Sequence, residues 1–491
     1  MTATASVSRS TRRRLGWALT ATVVSGVLIH FGLGFEPVAV LAWLAPLPLF
    51  LLAPRTGAWV ASAAAFLAYL GGSAGSWHYF LNSQTVPVLG ALAILLGSPV
   101  LFAATVALFR RLVRAGRPVL ATVAAPAVWT AVLYGVSVAN PFGVMGTFMT
   151  SQGDQPDVLR LASVLGGWGV EYLVLLVPAA LAAVLAPGVR PSARAGITVA
   201  TAAAVGGALA FGATPAAASA DQVRVAVVAR SEPAWAADPD SPAGRQVLQS
   251  YVDALTALPS DVRVAVLPEA AFGTDRARLA GLTGPLAELA RARNLHVVTG
   301  VMVKDPGHEA YNTALDVPPA GPTVEYRKWR NGFSPVTSGH DLAHLAGQPI
   351  GLEVCMDVNG PSPTRDYARA GTGLVLIPAS DEDVDGWQHS RTALFRGVEH
   401  GVSVAWSATR GNSILSDPRG HVLAQTRTGV APMAVAVADV PLGTGDTPYS
   451  RFGDWFAWLC CLTAVAGLAF TRARTLTVEG SDRAPARTGA P

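Results

Sequence analysis

The sequence has few charged residues and few cysteines. Only 14% of its 491 residues are charged, whereas 51% are hydrophobic, and a typical soluble protein has about 25% charged residues. The chain is therefore expected to lie at least partly in a membrane. Its three cysteines, of which Cys460 and Cys461 are adjacent, indicate no disulfide framework and leave Cys355 without an obvious partner.

The sequence also lacks the motifs of metal and nucleotide sites. Its nine histidines include no His-x-x-x-His pair around a glutamate, and its cysteines have no metal-ligand spacing, so we predict no metal. No glycine-rich loop precedes a Lys and a Ser or Thr, so we predict no nucleotide or other cofactor. The arginines lie in loops and tails where membrane topology explains them, and we expect no nucleic-acid partner.

Apolar segments occupy most of the chain up to residue 214. Each is close to the about 20 residues that a helix needs to cross a bilayer. The first follows several arginines but no convincing cleavage site follows it, which indicates an uncleaved helix rather than a signal peptide. We predict a transmembrane domain at residues 15–214 with seven spans, at 15–35, 37–54, 57–81, 86–109, 118–139, 158–186 and 194–214.

The arginines of the connecting loops predict the orientation of these spans. Arg55, the loop at 110–117 and the loop at 190–194 carry positive charge, whereas every second connection, such as 140–157, has no Lys or Arg. Short cytoplasmic loops collect such charges. Residues 1–14 are therefore expected in the cytoplasm, and seven crossings place the chain after residue 214 outside.

A soluble domain is predicted at residues 221–441, where charges become frequent. Short β-branched runs alternate with helical patterns, which is typical of a layered α/β domain. The runs begin near 223, 262, 296, 373, 402 and 433, and the helical patterns lie at 242–258, 275–294 and 387–400. After this domain, an apolar run at 455–471 predicts an eighth span, and residues 472–491 are expected to form a disordered cytoplasmic tail.

Three residues close strand-like segments of the soluble domain. Cys355 lies in the apolar run 349–358 and is followed by a polar turn; a lone cysteine is most often just buried, but a thiol at a strand end can also meet a substrate. Glu269 and Lys328 close two further segments. If the three strand ends converge, Glu269 can take the thiol proton, Cys355 can attack a carbonyl, and Lys328 with the N–H of Met356 can stabilise the oxyanion.

The triad resembles that of the nitrilase superfamily, whose members use Glu, Lys and Cys in this order. Spans before and after the domain, together with the stretches NPFGVMGTF, LPEAAF, GWQHSRTALFRGVEHG and TPYSRFGDW, are similar to the membrane-embedded branch, the apolipoprotein N-acyltransferases. The resemblance implies a multi-pass α-helical membrane domain in a bacterial plasma membrane plus an extracytoplasmic α-β-β-α sandwich. Trp235 and Trp387 are expected to contribute to substrate binding.

The sequence departs from this family beside the triad. Met356 and Asp357 follow the cysteine where the family has Tyr-Glu, and KWRNGFSPVTSGHD replaces a segment ending in Pro-Phe-Gly-Glu. The additional active-site carboxylate of the family therefore has no clear counterpart.

The resemblance implies acyl transfer from a membrane phospholipid, through a thioester on Cys355, to the α-amine of a diacylglyceryl-cysteine on an apolipoprotein. Two alternatives stay open: a membrane-anchored amidohydrolase, in which water resolves the acyl-enzyme, and a catalytically silent homologue that binds lipoproteins. A Cys-His enzyme that uses Cys355 and His389 is a further alternative.

Overall fold

The computed structural model describes residues 9–82, 86–140, 142–215, 221–232, 234–332 and 334–481. Parts of three predicted segments lie outside the described residues: 1–8 of the basic N-terminus, 216–220 of the linker and 482–491 of the tail. Helices form nearly all of the described chain before residue 215, because in an apolar segment only a helix satisfies every backbone polar group internally. They are α1 (Arg9–Leu33), α2 (Ala39–Leu44), α3 (Leu47–Leu52), α4 (Ala58–Gly72), α5 (Ala74–Asn82), α6 (Val88–Arg114), α7 (Pro118–Ala139), α8 (Pro156–Leu159), α9 (Ala162–Leu165), α10 (Gly167–Val184) and α11 (Pro191–Gly212).

Among the described helices, α1, α6, α7, α10 and α11 are long and apolar enough to cross a membrane, and α4 with α5 forms a further apolar pair bent by 62°. The predicted second span is instead divided into the short helices α2 and α3. Pro46 precedes α3, and a proline interrupts a helix because it lacks the N–H and its ring clashes with the preceding turn. The total of seven crossings stays a prediction.

The described part of the chain ends in a helix that packs against the N-terminal helices. After the short α16 (Pro448–Phe452), α17 (Trp455–Ser481) contacts α7. Its apolar part, Trp455–Phe470, is shorter than the five long helices. The helix continues through residues 472–481, the first part of the predicted tail; disorder of the tail stays a prediction.

Residues 222–441 form the predicted α-β-β-α sandwich. One sheet has the order β12-β1-β2-β4-β5-β6, with β3 paired to β4, and the other has the order β11-β10-β9-β8-β7. The strands are β1 (Gln222–Arg230), β2 (Val264–Val266), β3 (Phe272–Thr274), β4 (His296–Lys304), β5 (Ala310–Val317), β6 (Val324–Arg327), β7 (Ile350–Leu352), β8 (Leu374–Ala379), β9 (Ser403–Ala408), β10 (Asn412–Ser416), β11 (Val422–Arg427) and β12 (Met433–Pro441).

The two sheets pack face to face, with helices on both outer faces. Strands β1, β2 and β4 contact β8 and β9 across the sandwich. Helices α12 (Pro242–Thr256) and α13 (Leu279–Arg293) cover the first sheet, and α14 (Thr364–Arg369) and α15 (Gly386–His400) lie on the side of the second. Because the central strands are covered on both faces, they are continuous apolar runs rather than alternating ones. The predicted strands and helices of this domain are confirmed.

This arrangement brings three strand ends to one rim of the sandwich. Glu269 follows β2 after two residues, Lys328 follows β6 directly, and Cys355 follows β7 after two residues. Cys355 therefore lies on the turn beyond its strand, not on the strand itself.

Candidate active site

Glu269 and Lys328 form a buried ion pair at this rim. The Nζ of Lys328 lies 2.6 Å from Oε1 of Glu269, and the side-chain amide of Asn312 donates to the same oxygen at 2.6 Å. The exposed fractions of Glu269 and Lys328 are 2% and 5%. The backbone N–H of Lys328 also donates to the carbonyl of Asn312 at 2.9 Å. Two donors converging on one oxygen fix the orientation of the carboxylate.

Cys355 begins a short 3-10 helix, Cys355–Asn359, with a φ of 44°. This left-handed conformation is uncommon for a residue other than glycine, and such residues concentrate at functional sites. The buried thiol donates to the carbonyl of Ser380 at 3.6 Å. The tight turn therefore holds the sulfur in one orientation at the rim.

The electrostatics of the three side chains are coupled. Burial raises the pKa of the Cys355 thiol well above its ordinary value, and the Glu269 carboxylate raises it further, whereas Lys328 lowers it. Burial alone would lower the pKa of Lys328, but Glu269, Cys355 and Asp357 raise it above its ordinary value. The raised pKa favours the protonated thiol of Cys355, so attack by its sulfur would require a base to remove the proton. The structure brings the three predicted side chains together; their catalytic roles stay predictions.

Asp357, two residues after Cys355, connects the lysine segment to the cysteine turn. Its Oδ1 accepts the backbone N–H groups of Trp329 and Arg330 at 3.0 and 2.8 Å. Its Oδ2 accepts the Tyr326 hydroxyl and the Val354 N–H at 2.7 and 3.0 Å. In the sequence, Asp357 stands out only as a departure from the family; the available signal was a carboxylate in the apolar run beside Cys355.

Met356 is the second residue of the 3-10 helix that Cys355 begins. The N–H groups in the first turn of a helix have no intrahelical acceptor. The Met356 N–H is therefore free of helical bonding and can donate to an oxyanion at the neighbouring residue, as predicted from the sequence; that role stays a prediction.

The two predicted substrate-binding tryptophans lie in different places. Trp235 is 59% exposed and precedes Ala236, whose N–H donates to the carbonyl of Ala270 at 2.6 Å. Trp235 therefore lies beside the turn that follows Glu269. Trp387 donates its indole N–H to Asp154 of the helical domain at 3.2 Å, which gives it a docking contact. Substrate binding by either tryptophan stays a prediction.

A second polar network lies beside the triad. His389 pairs through Nδ1 with Oδ1 of Asp381 at 2.7 Å rather than with Cys355, so the structure does not favour the Cys-His alternative. Within the described ranges, Asp381, Asp385 and His389 form a group whose ligand atoms, within 4.8 Å of one another, could hold a metal ion. These atoms are already engaged, since Asp385 also accepts the hydroxyl of Tyr79 at 2.5 Å. We interpret the group as a hydrogen-bond network and assign no metal to it.

A cavity of about 350 Å³ lies between α1, α4, α5 and α6 and reaches the catalytic domain at Gln388. Gln388 donates to the carbonyl of Gly34 at 2.9 Å, which ties α15 to the end of α1. Tyr79 lines the cavity while its hydroxyl contacts Asp385 of the catalytic domain. Most of the other lining side chains are apolar, among them Ile29, Leu33, Phe35, Phe80, Ile94 and Leu95.

Comparison with known proteins matches both parts of the chain. The family model described as carbon-nitrogen hydrolase matches residues 224–447, and that of the apolipoprotein N-acyltransferase N-terminal domain matches residues 25–180. An apolipoprotein N-acyltransferase of Geobacter metallireducens is 36% identical over 132 residues, which is 25% of this chain and 24% of that protein. One from Mycolicibacterium smegmatis is 24% identical over 264 residues, 46% of this chain and 44% of that protein. The chain thus spans less than half the length of these two relatives. An (R)-stereoselective amidase of Pseudomonas sp. is 26% identical over 202 residues, 36% of this chain and 73% of the amidase.

A sandwich with Glu, Lys and Cys at one rim, together with the match at residues 224–447, defines a carbon-nitrogen hydrolase domain of the nitrilase superfamily. This domain follows apolar helices that match a second, more specialised model. Both parts of the chain are therefore similar to the apolipoprotein N-acyltransferase family, as the sequence motifs indicated.

Proposed function

We propose that this protein transfers a fatty acyl chain from a membrane phospholipid to the α-amine of a diacylglyceryl-cysteine at the N-terminus of an apolipoprotein. The observation that carries the proposal is the buried Glu269–Lys328 pair beside the Cys355 thiol. The domain that holds this pair contacts the apolar N-terminal helices, for example through the hydrogen bond from Tyr79 to Asp385. A soluble amidase would have no use for these helices, whereas an enzyme with lipid substrates needs its nucleophile near the bilayer.

In the first half-reaction, the carboxylate of Glu269 takes the thiol proton as Cys355 attacks the carbonyl carbon of a phospholipid ester. The ammonium of Lys328 and the Met356 N–H stabilise the tetrahedral oxyanion. The carbon–oxygen bond to glycerol then breaks, the proton on Glu269 passes to the departing alkoxide, and a lysophospholipid leaves. The acyl chain remains on Cys355 as a thioester.

In the second half-reaction, the free α-amine of the apolipoprotein attacks the thioester carbonyl. Glu269 accepts a proton from the amine, the carbon–sulfur bond breaks, and the thiolate of Cys355 recovers a proton. The products are an amide and the free thiol. The ester of the donor supplies the activation, so the exchange consumes no nucleotide.

The cavity beside Tyr79 is our proposed place for the acyl chain of the donor. Its apolar lining suits a hydrocarbon chain, and its end at Gln388 lies on the helix α15 that carries His389. A chain bound there would leave its ester at the junction between the helical and catalytic domains. We further propose that this junction lies at the outer face of the membrane, as the arginine pattern predicts.

The amidase similarity keeps hydrolysis as the second candidate, because the same acyl-enzyme can react with water. Purified protein incubated with phospholipid vesicles and a diacylglyceryl lipopeptide separates the candidates by mass spectrometry. Transfer gives an N-acylated peptide and a lysophospholipid in equal amounts. Hydrolysis gives free fatty acid with an unmodified peptide, and a silent lipoprotein-binding homologue gives neither. In cells, acyl transfer predicts that deletion of the gene abolishes the N-acylated form of the lipoproteins.

A further inference from the structure

The end of strand β8 contacts two members of the triad through its backbone. The carbonyl of Ala379 accepts the N–H of Glu269 at 3.1 Å, and the carbonyl of Ser380 accepts the Cys355 thiol at 3.6 Å. The next residue, Asp381, is 5% exposed and carries a carboxylate at this point. An interaction that holds Asp381 in place therefore also holds the two neighbouring backbone carbonyls that accept from Glu269 and Cys355.

Asp381 is fixed from two sides. Its Oδ1 pairs with Nδ1 of His389 at 2.7 Å, and its Oδ2 accepts the indole N–H of Trp406 at 3.2 Å. His389 lies in the first turn of α15. The preceding residue, Gln388, donates a hydrogen bond to the helical domain. The histidine thus joins the strand end to the helix that docks the two domains.

A second carboxylate faces the same imidazole. Oδ2 of Asp385 lies 3.9 Å from Nδ1 of His389, and it accepts the hydroxyl of Tyr79 at 2.5 Å. Oδ1 of Asp385 accepts the backbone N–H of Glu382 at 2.8 Å. The imidazole is therefore placed between two carboxylates, one of which is bonded to the helical domain.

The charges of this network act on the nucleophile. Asp381 and Glu269 both raise the pKa of the Cys355 thiol after the larger effect of burial. Burial lowers the pKa of His389, but Asp381, Asp385 and Glu269 outweigh it and raise the pKa to about 9. At neutral pH the imidazole therefore carries a positive charge next to the carboxylates that oppose thiolate formation. Lys328 lowers the pKa of the Cys355 thiol, and we expect the imidazolium of His389 to act in the same direction.

We propose that His389 is a positioning residue of the acyl-transfer site, which fixes Asp381 at the end of β8 and offsets its negative charge beside the Cys355 thiol. The inference rests on the proposed function for its role in turnover. Its physical content, a cation that favours the thiolate of Cys355 from outside the triad, does not depend on which acyl acceptor the enzyme uses.

Alkylation of Cys355 by iodoacetamide as a function of pH tests this directly, because it reports thiolate formation and needs neither donor nor acceptor. His389→Asn replaces the Nδ1 donor by an amide N–H and removes the charge. We expect its alkylation profile to move to higher pH by about one unit, the size of shift that one nearby charge produces. Acylation in a single turnover should slow by about tenfold.

Asp381→Asn provides a second variant with the opposite expectation. It removes the negative charge beside the thiol, while Asp385 and Glu269 still raise the pKa of His389 and favour its charged form, so the alkylation profile should move to lower pH. The double variant Asp381→Asn with His389→Asn removes both charges, and its alkylation profile should return toward that of the wild type. If the single substitutions acted only by damaging the structure, the profile of the double variant would differ from the wild type by more than that of either single variant.

His400→Asn is the matched control, since His400 is a buried histidine at the far end of the same helix and bonds to Ser450 at 3.2 Å. Burial lowers the pKa of His400 well below its ordinary value, so its removal changes no charge and should leave the alkylation profile in place. A His389→Asn profile that overlays the wild type, or an Asp381→Asn profile that does not move to lower pH, overturns the inference. If the shifts occur but no acyl chain is transferred, the proposed function fails and the charge relationship stands.

Discussion

The hydroxyl of Tyr326 donates to Oδ2 of Asp357 at 2.7 Å, and this bond connects the strand that leads into Lys328 to the turn that begins at Cys355. Both side chains are buried. The position of the Lys328 ammonium relative to the Cys355 thiol therefore depends on Asp357, a residue outside the triad.

Replacement of Asp357 tests this coupling. Asp357→Ala leaves three backbone N–H groups and the Tyr326 hydroxyl without their acceptor, and each unpaired buried donor costs about 1–3 kcal/mol. We expect a lower unfolding temperature in detergent and thioester formation reduced by at least about tenfold per folded molecule. Asp316→Asn is the control, because that buried carboxylate pairs with His296 at 3.0 Å; it should lose stability without a specific loss of acylation. Equal acylation in both variants would contradict the coupling.

The identity of the nucleophile is tested by intact-protein mass after incubation with phospholipid vesicles. Wild type should gain one acyl chain that hydroxylamine removes, and Cys355→Ala should gain none. Cys355→Ser should also be inactive, because a hydroxyl lacks the acidity and leaving ability of a thiol. Cys460→Ser and Cys461→Ser, in the apolar part of α17, should react like wild type. An adduct that persists in Cys355→Ala would assign the nucleophile to another residue.

Loss of either charged partner should reduce turnover without abolishing lipid binding. Glu269→Gln removes the base and Lys328→Met removes the oxyanion donor, and each should lower kcat by about 10² to 10⁴. Asn312→Ala is a milder change that removes the amide donor to Glu269 and introduces no charge, so its effect should be smaller. Steady-state kinetics with vesicle donors ranks the three variants by kcat. A larger loss for Asn312→Ala than for Glu269→Gln would contradict the proposed roles.

The same two variants should have opposite effects on thiol alkylation. The Glu269 carboxylate raises the pKa of Cys355 and Lys328 lowers it, so Glu269→Gln should make the thiol more acidic and Lys328→Met less acidic. At pH 8 we therefore expect iodoacetamide to modify Cys355 faster in Glu269→Gln than in wild type, although that variant turns over poorly. Slower alkylation in both variants would instead indicate general damage to the site.

Membrane orientation is tested with reporters fused after residues 83, 114, 230 and 480. The alternation of arginine-containing loops predicts that the fusions at 83 and 230 report outside and those at 114 and 480 inside. A cytoplasmic reporter at 230 would place the catalytic domain on the wrong side for an acceptor exposed at the outer face, and would remove the proposed function.

The division between α2 and α3 and the bend between α4 and α5 could not be predicted from the sequence. Hydropathy over a window indicates that a segment is apolar, but it does not locate the interruption before Pro46 or the 62° bend between α4 and α5. The α/β domain was predicted more completely, because short β-branched strands and longer helical patterns have different periods. The tail beyond residue 471 was predicted disordered from its polar composition, and α17 continues through part of it.

The sequence by itself determined that apolar helices precede an α/β domain, and that Glu269, Lys328 and Cys355 close its strands in the family's order. Only the tertiary structure decided that Asp357 joins the lysine and cysteine segments, and that Tyr79, 306 positions before Asp385, completes the network around His389. The physical reason is separation along the chain: strand and helix patterns repeat within a few residues, whereas these contacts form when distant segments pack and bury their polar groups, which must then find partners.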